Sequence, residues 1–385
     1  MIRLLASVAE KLARAAELER CDRRLRGLNA MVFLTYRCGS RCRTCTMWKR
    51  TDPSSEELGW EQWRTVLDRL CAYGIKTVEL FGGDALLRKD IIFRMIEHCS
   101  RNGMATYFPT NSLLLDRDTA ASLVEAGLDT IYFSLDDVGE TGDAIRGSDG
   151  SFAKVKQALE NVLAERGEAR HPKIEVCTTV SNMNCDRFVE IVRFLSRYRV
   201  DTINPRVVGE FSKEKVESSV VDGVRAEPYF VPSDGSSHLL SADELRRFRE
   251  SLDAADCIEG APFVNRWAVD MAGDDAFTKG LYEAERCLLC TTLVTVDPYG
   301  NAMPCPMFRD YRLGSLVEAD PGQVWGNARH RIFVERQRAG AIELCRNCNI
   351  RIYYPRLADV MKYYYRKARE KAWRRLGRSA SSGTP

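Results

Sequence analysis

Cys38-Gly-Ser-Arg-Cys42-Arg-Thr-Cys45 sets three thiols at Cys-x3-Cys-x2-Cys spacing, just after the apolar run Met31-Val-Phe-Leu-Thr-Tyr36. A short loop with three soft thiolate ligands can grip three irons of a cubane cluster and leave the fourth iron open. Zinc needs a fourth ligand nearby, as a second Cys-x2-Cys or a pair of His. The next cysteine is Cys71, and the chain holds only four His. The plain alternative is three ordinary buried cysteines, since free Cys is a common core residue.

At 385 residues the chain can hold one large domain and a small one. Hydrophobic residues at 45% and charged residues at 29% fit an ordinary soluble globular protein. Its 14 Cys are not spaced like the disulfide framework of a small secreted domain. The apolar stretch within Met1–Glu10 is too short for a signal peptide. The thiols are therefore expected in the cytoplasm, reduced, bound to metal or engaged in chemistry. No run reaches 18 apolar residues, so no membrane span is expected.

The formal net charge of +3 splits into +3 for residues 1–30, +8 for 351–385 and, by difference, −8 for the body between them. In the tail, Tyr363-Tyr-Tyr-Arg-Lys-Ala-Arg-Glu-Lys-Ala-Trp-Arg-Arg375 interleaves aromatics with cations. It reads as a solvated terminal helix, a docking helix for an electron donor, or a peripheral contact with an anionic membrane surface. No nucleic-acid partner is expected.

From residue 31, apolar runs at 31–36, 77–81, 105–109, 130–135, 174–180 and 202–208 alternate with helical patterns at 60–73, 89–102, 118–126, 152–166 and 185–198. This is the signature of βα units and a parallel sheet. Six units predict an α/β fold built on a partial (βα)6 TIM-like barrel, with ligands at the C-terminal ends of its strands. Outside it fall an amphipathic leader helix at 1–30 and an irregular insertion with a linker helix at 209–286. A small cluster-binding domain at 287–350 and a basic helical tail at 351–385 follow. The stretch 209–240 is long and unpatterned, which suits a substrate lid or a surface excursion.

These motifs, taken in order, resemble radical S-adenosylmethionine (radical SAM) enzymes over roughly residues 30–210. Phe81-Gly-Gly-Asp-Ala-Leu86 is similar to the family's Gly-Gly-Glu-Pro loop, with Asp84 and Ala85 replacing Glu and Pro. Thr44 stands where the family usually has an aromatic residue, and Trp48 is a neighbouring substitute. Pro109-Thr-Asn-Ser112 resembles the Thr-Asn-Gly turn. Ser134-Leu-Asp136, Asp143-Ala-Ile-Arg146-Gly147 and Gly150-Ser-Phe152 resemble the Ser-x-Asp, Arg-Gly and Gly-x-Phe elements. The resemblance implies a 4Fe-4S cluster on Cys38, Cys42 and Cys45. It implies S-adenosylmethionine held by Gly82, Gly83, Asp84, Thr110, Asn111, Ser134, Asp136 and Arg146, with the glycines letting the backbone approach the cofactor. A flavodoxin- or ferredoxin-type electron donor goes with that chemistry.

Cys287, Cys290, Cys305, Cys345 and Cys348 form a second group, with Asp297-Pro-Tyr-Gly300 reading as a hairpin turn inside it. A zinc ribbon would have to span the 54 residues between Cys290 and Cys345, far beyond the usual spacing. The stretch looks like the SPASM and Twitch extensions of radical SAM enzymes. Five thiols suffice for one auxiliary 4Fe-4S cluster, with either Cys287 or Cys290 spare.

Twitch-like relatives imply dehydrogenation or epimerisation of a hydroxyl-rich small metabolite such as a sugar or aminocyclitol. In an epimerase, Cys177 or Cys257 would donate hydrogen, whereas Cys21, Cys71, Cys99 and Cys185 read as packing. The alternatives are a maturase of a ribosomally made peptide, an enzyme acting on a lipid-linked substrate, and a non-enzymatic zinc or cluster-binding protein.

Overall fold

The computed structural model describes residues 2–50, 52–233, 236–282 and 286–381, without the side chains of 2–7 and 371–381. Asp234 and Gly235 of the irregular insertion, and the Trp373, Arg374 and Arg375 side chains of the basic tail, lie outside the described residues. Helices α1 (Ile2–Arg23), α2 (Trp60–Tyr73), α3 (Lys89–Arg101), α4 (Arg117–Glu125), α5 (Gly139–Arg146), α6 (Ser151–Arg166), α7 (Phe188–Leu195), α8 (Lys213–Ser218) and α9 (Ala242–Ala255) precede the second cysteine group. The barrel strands are β1 (Asn29–Phe33), β2 (Thr77–Phe81), β3 (Ala105–Thr110), β4 (Thr130–Ser134), β5 (Lys173–Val180) and β6 (Thr202–Val207). They lie in sequence order and pair parallel, as βα units require. A two-stranded hairpin, β7 (Val220–Val221) and β8 (Val224–Arg225), stands apart.

The sheet has ten strands. A short parallel strand, β9 (Phe263–Val264), extends it past β6. On the opposite side, β10 (Leu293–Val296) pairs parallel with β1 and continues through β11 (Asn301–Met303) and β12 (Gly314–Ser315). The hairpin read at Asp297–Gly300 is thus hydrogen-bonded onto the first barrel strand, so both cysteine groups share one sheet.

Burial alternates strictly along β2, β3 and β4. Val78, Leu80, Phe108, Ile131, Phe133, Ile174 and Val176 are buried in the main core. Their neighbours Glu79, Tyr107, Tyr132, Glu175, Cys177 and Arg206 are half-buried on the other face. The charges of Glu79 on β2 and Arg206 on β6 influence each other although three strands lie between theirs in the sheet. Only an inward-facing side of a curled sheet brings them together, so this face lines a polar lumen.

The insertion at 209–240 is neither a free lid nor a surface excursion. Phe211, Val221, Ala226, Phe230 and Leu240 are buried, and its backbone bridges the two cysteine groups. Thr46 N donates to the Tyr229 carbonyl (2.6 Å), and Glu227 N donates to the Met307 carbonyl (2.6 Å). Helix α9 then starts with a capping box in which Ser241 and Glu244 satisfy each other's backbone N–H groups.

Helix α1 is stapled to the C-terminal half. Asp22 is 2% exposed and accepts hydrogen bonds from Thr291 Oγ1 (2.7 Å) and Arg338 Nη2 (3.1 Å), with Arg286 also paired to it. Removing the charge leaves both guanidinium groups half-exposed rather than buried. Asp22→Asn should therefore cost about 2 kcal/mol, short of the penalty for a fully orphaned ion. The check is a lower urea midpoint with unchanged slope. Helix Leu357–Ser381 packs on α1 through Ala15 and Val360, with the Tyr363 ring tilted against that of Trp267 at 4.7 Å. Lys367 pairs with Asp270 at 2.9 Å. No helix among the described residues is long and apolar enough to cross a membrane.

Candidate active site

The loop carrying Cys38, Cys42 and Cys45 follows β1 and is pinned from two sides. Gly83 N donates to the Thr35 carbonyl (3.0 Å), and Asp84 N to the Arg37 carbonyl (2.8 Å). On the far side, Arg41 N and Arg43 N donate to the carbonyls of Arg146 (3.3 Å) and Ile145 (2.9 Å), at the end of α5. The glycines serve this docking. A Cβ on Gly83 would lie 2.3 Å from the Arg37 carbonyl oxygen, one on Gly82 2.5 Å from that of Thr35, and one on Gly147 2.2 Å from that of Arg41. Gly82 and Gly83 thus let one backbone lie on another.

Two polar chains lead from the thiols to buried carboxylates. Asn111 Nδ2 lies 3.8 Å from Cys38 Sγ and donates to Asp84 Oδ2 (3.1 Å). Asp84 Oδ1 accepts from Leu86 N (3.1 Å), so this shorter acid caps its own turn. Burial raises the Asp84 carboxyl above its usual range, and the hydrogen bond from Asn111 opposes that rise. Arg146 Nη1 lies 3.5 Å from Cys42 Sγ, and its Nε pairs with Asp136 Oδ2 at 3.0 Å. Asp136 Oδ1 accepts from Thr179 N (2.8 Å). Thr110 Oγ1 accepts from Ser112 N (2.9 Å), which shapes the turn holding Asn111. Ser134 ends β4 opposite Cys177. Trp48 donates to the Cys45 carbonyl (2.9 Å) and takes Arg41 over its ring (5.0 Å), so it braces the loop beside Thr44.

Cys287, Cys290, Cys305, Cys345 and Cys348 meet in one buried neighbourhood, where each thiol's ionisation is affected by others of the set. A hydrogen bond from Cys290 pulls the Cys287 thiol down to about 7 against the effect of burial. Arg351 Nη1 donates to the Cys345 carbonyl (2.8 Å), while its buried Nε and Nη2 have no partner among the described residues.

Among the described residues no three cysteine, histidine or carboxylate side chains form a closed coordination sphere. The donor chemistry nevertheless suits iron–sulfur clusters: three loop thiols at one centre, and five at the other beside an unsatisfied cation that complements an anionic cluster. The two cysteines singled out as hydrogen donors part company. Cys177 lines the lumen, whereas Cys257 is exposed past the end of α9, its thiol 3.9 Å from the Asp253 carbonyl.

Residues 32–195 match the Radical SAM superfamily, and residues 287–349 match the SPASM iron-sulfur cluster-binding domain. The chain carries a radical SAM domain followed by a SPASM domain. Mycofactocin maturase MftC of Mycobacterium ulcerans is 28% identical over 331 residues, covering 83% of this chain and 81% of that protein. A PqqA peptide cyclase of Xanthomonas euvesicatoria is 22% identical over 83% of this chain and 80% of its own length. The Fe-coproporphyrin III synthase of Methanosarcina barkeri and a PqqA peptide cyclase of Rhodopseudomonas palustris align over only 33% and 34% of their length. Native anSMEcpe, solved with AdoMet and a Cp18Cys peptide, shares the fold at TM-score 0.61 and 15% identity, covering 92% of this chain and 99% of that one.

The cofactors of this radical SAM protein are a 4Fe-4S cluster with S-adenosylmethionine and auxiliary iron–sulfur, which replaces the zinc reading of the second cysteine group. The expected hydroxyl-rich metabolite and its dehydrogenation or epimerisation are overturned. Relatives aligned along four fifths of the chain are a maturase and a peptide cyclase. The hydrogen-donor role assigned to Cys177 and Cys257 belonged to that reading and goes with it.

The lumen escaped the sequence reading. Its signal was the alternation Thr77-Val-Glu-Leu-Phe81, where an acid interrupts an otherwise strand-like apolar run.

Proposed function

We propose that this radical SAM protein is a peptide maturase, modifying a residue of a ribosomally made peptide inside the barrel lumen. The observation that carries this reading is the alignment along four fifths of the chain with relatives named for maturation and peptide cyclisation. The polar inner face of the sheet supports it, because Glu79, Tyr107, Tyr132, Glu175 and Arg206 offer hydrogen-bonding groups to a peptide. Cys38, Cys42 and Cys45 would hold the catalytic cluster, and four of the five later cysteines the auxiliary one. When bound there, S-adenosylmethionine supplies the radical that removes hydrogen from an unactivated C–H bond.

The chain's own residues orient and exclude. Asn111 and Arg146 would tether the cysteine loop to Asp84 and Asp136. The Tyr229 carbonyl ties that loop to the bridging segment. Phe33, Phe81, Met47 and Met303 build an apolar layer that keeps water away from Cys45.

The test uses reconstituted full-length protein with peptides translated from short reading frames flanking its gene. One of them should lose hydrogen in step with 5′-deoxyadenosine formation, as read by mass spectrometry. Deuterium transfer from a labelled sugar or aminocyclitol, with every peptide unchanged, would sink the reading.

A further inference from the structure

Arg206 is half-buried, and its guanidinium has no hydrogen-bonding partner among the described residues. It lies near the C-terminal end of β6, opposite Thr179, whose N–H holds Asp136. Its Nε is inaccessible and unsatisfied, and no carboxylate among the described residues lies within ion-pair distance of its guanidinium. Its flanks are aromatic: the guanidinium carbon sits 4.9 Å from the Tyr353 ring and 5.9 Å from the Tyr132 ring. Tyr353 comes five residues after Cys348, and Thr179 bonds the Asp136 that pairs with Arg146, so neighbours of Arg206 link it to both cysteine groups.

The other ionisable groups facing it are Cys177, Glu79 and Glu175. Glu175 is already engaged by Asn204 Nδ2 at 2.8 Å. Glu79 has no hydrogen bond among the described residues, and burial raises its carboxyl to about 7, so its charge is easily lost. A fold seldom buries a guanidinium without a paired acceptor, because the desolvation cost is large. Its planar fork suits one acceptor above others, a carboxylate gripped by two parallel N–H groups.

We propose that Arg206, walled by Tyr132 and Tyr353, is the recognition site for a carboxylate of the peptide, supplied by an acidic side chain or by its C-terminus. This deepens the maturase reading and rests on it. The carboxylate would anchor the peptide on the polar inner face and present the neighbouring carbon to the cofactor side of the lumen.

The experiment measures binding to anaerobically reconstituted, full-length protein by calorimetry. The probes are four N-acetyl hexapeptides of one background, carrying Glu or Gln at one position and ending in a carboxylate or a carboxamide. Glutarate is the small-molecule control. A carboxylate form should bind about tenfold or more tightly than its neutral twin. The Glu/Gln and carboxylate/carboxamide comparisons show which end of the peptide supplies it. Arg206→Gln should erase the preference and Arg206→Lys should keep part of it. Glu79→Gln, which removes the competing acid and leaves Arg206 untouched, should strengthen it. Equal binding of all four peptides, a preference that survives Arg206→Gln, or no binding of any probe overturns the proposal. Glutarate bound through Arg206 with no peptide bound upholds the carboxylate site and overturns the peptide reading instead.

Discussion

Gly83→Ala will produce a folded protein that retains about four of about eight irons and cleaves S-adenosylmethionine at least about a hundredfold more slowly. The added methyl has nowhere to go. Its three nearest atoms are the Arg37 carbonyl oxygen at 2.3 Å, the Tyr36 carbonyl oxygen at 2.6 Å and the Arg37 carbonyl carbon at 2.7 Å, all backbone. No rotamer change relieves such a clash, so the turn after β2 must part from the segment entering Cys38. The hydrogen bonds from Gly83 N and Asp84 N to that segment are lost together. With them goes the position of Asp84 against Asn111, and of Asn111 against Cys38.

Gly150→Ala is the matched control. Gly150 has φ +72, so alanine there is strained, yet nothing lies within 4 Å of its Cβ. It should cost about 1 kcal/mol of stability and no iron. Iron counting and 5′-deoxyadenosine yield on both variants decide the matter. A Gly83→Ala protein with full iron and wild-type cleavage would show that the backbone contact does not position the loop.

The same contact marks where sequence reasoning runs out. Local pattern is enough for Thr77–Phe81 and Trp60–Tyr73, whose ends match the structure to the residue, and for a linker helix, found at Ala242–Ala255. There, hydrophobic period and end signals such as Gly74 (φ +96) or Ser241 are contained in the segment itself. The cysteine spacing is equally local, and so the loop was legible. What Gly82, Gly83 and Gly147 touch is a backbone dozens of residues away, and a glycine looks alike whether it faces a ligand or a carbonyl. The addition of β10 to β1 joins residues more than 260 apart. The bridging segment at 209–240 has no long period because, outside α8 and the short β7–β8 hairpin, its backbone bonds to loops. Arg206 and Glu79 read as blemishes in strands until the sheet curls and sets them face to face.

Arg146→Met will lower S-adenosylmethionine cleavage about a hundredfold or more while leaving the loop's backbone ties intact. The Arg146 carbonyl still accepts from Arg41 N in this variant. The guanidinium is lost from both Cys42 and Asp136, and Asp136 is 4% exposed with Thr179 N as its other hydrogen-bond donor. A buried carboxylate stripped of its cation costs about 3–5 kcal/mol. Asp136→Asn in the same chain removes that charge and should return most of the lost stability. If Arg146 serves only to neutralise Asp136, the double variant regains cleavage along with stability. If it also orients Cys42 and the carboxylate of S-adenosylmethionine, stability returns and cleavage does not. A denaturant midpoint and a single-turnover cleavage rate on the wild type, both single variants and the double variant separate these cases, because the first reads the ion pair alone and the second reads what the pair holds in place.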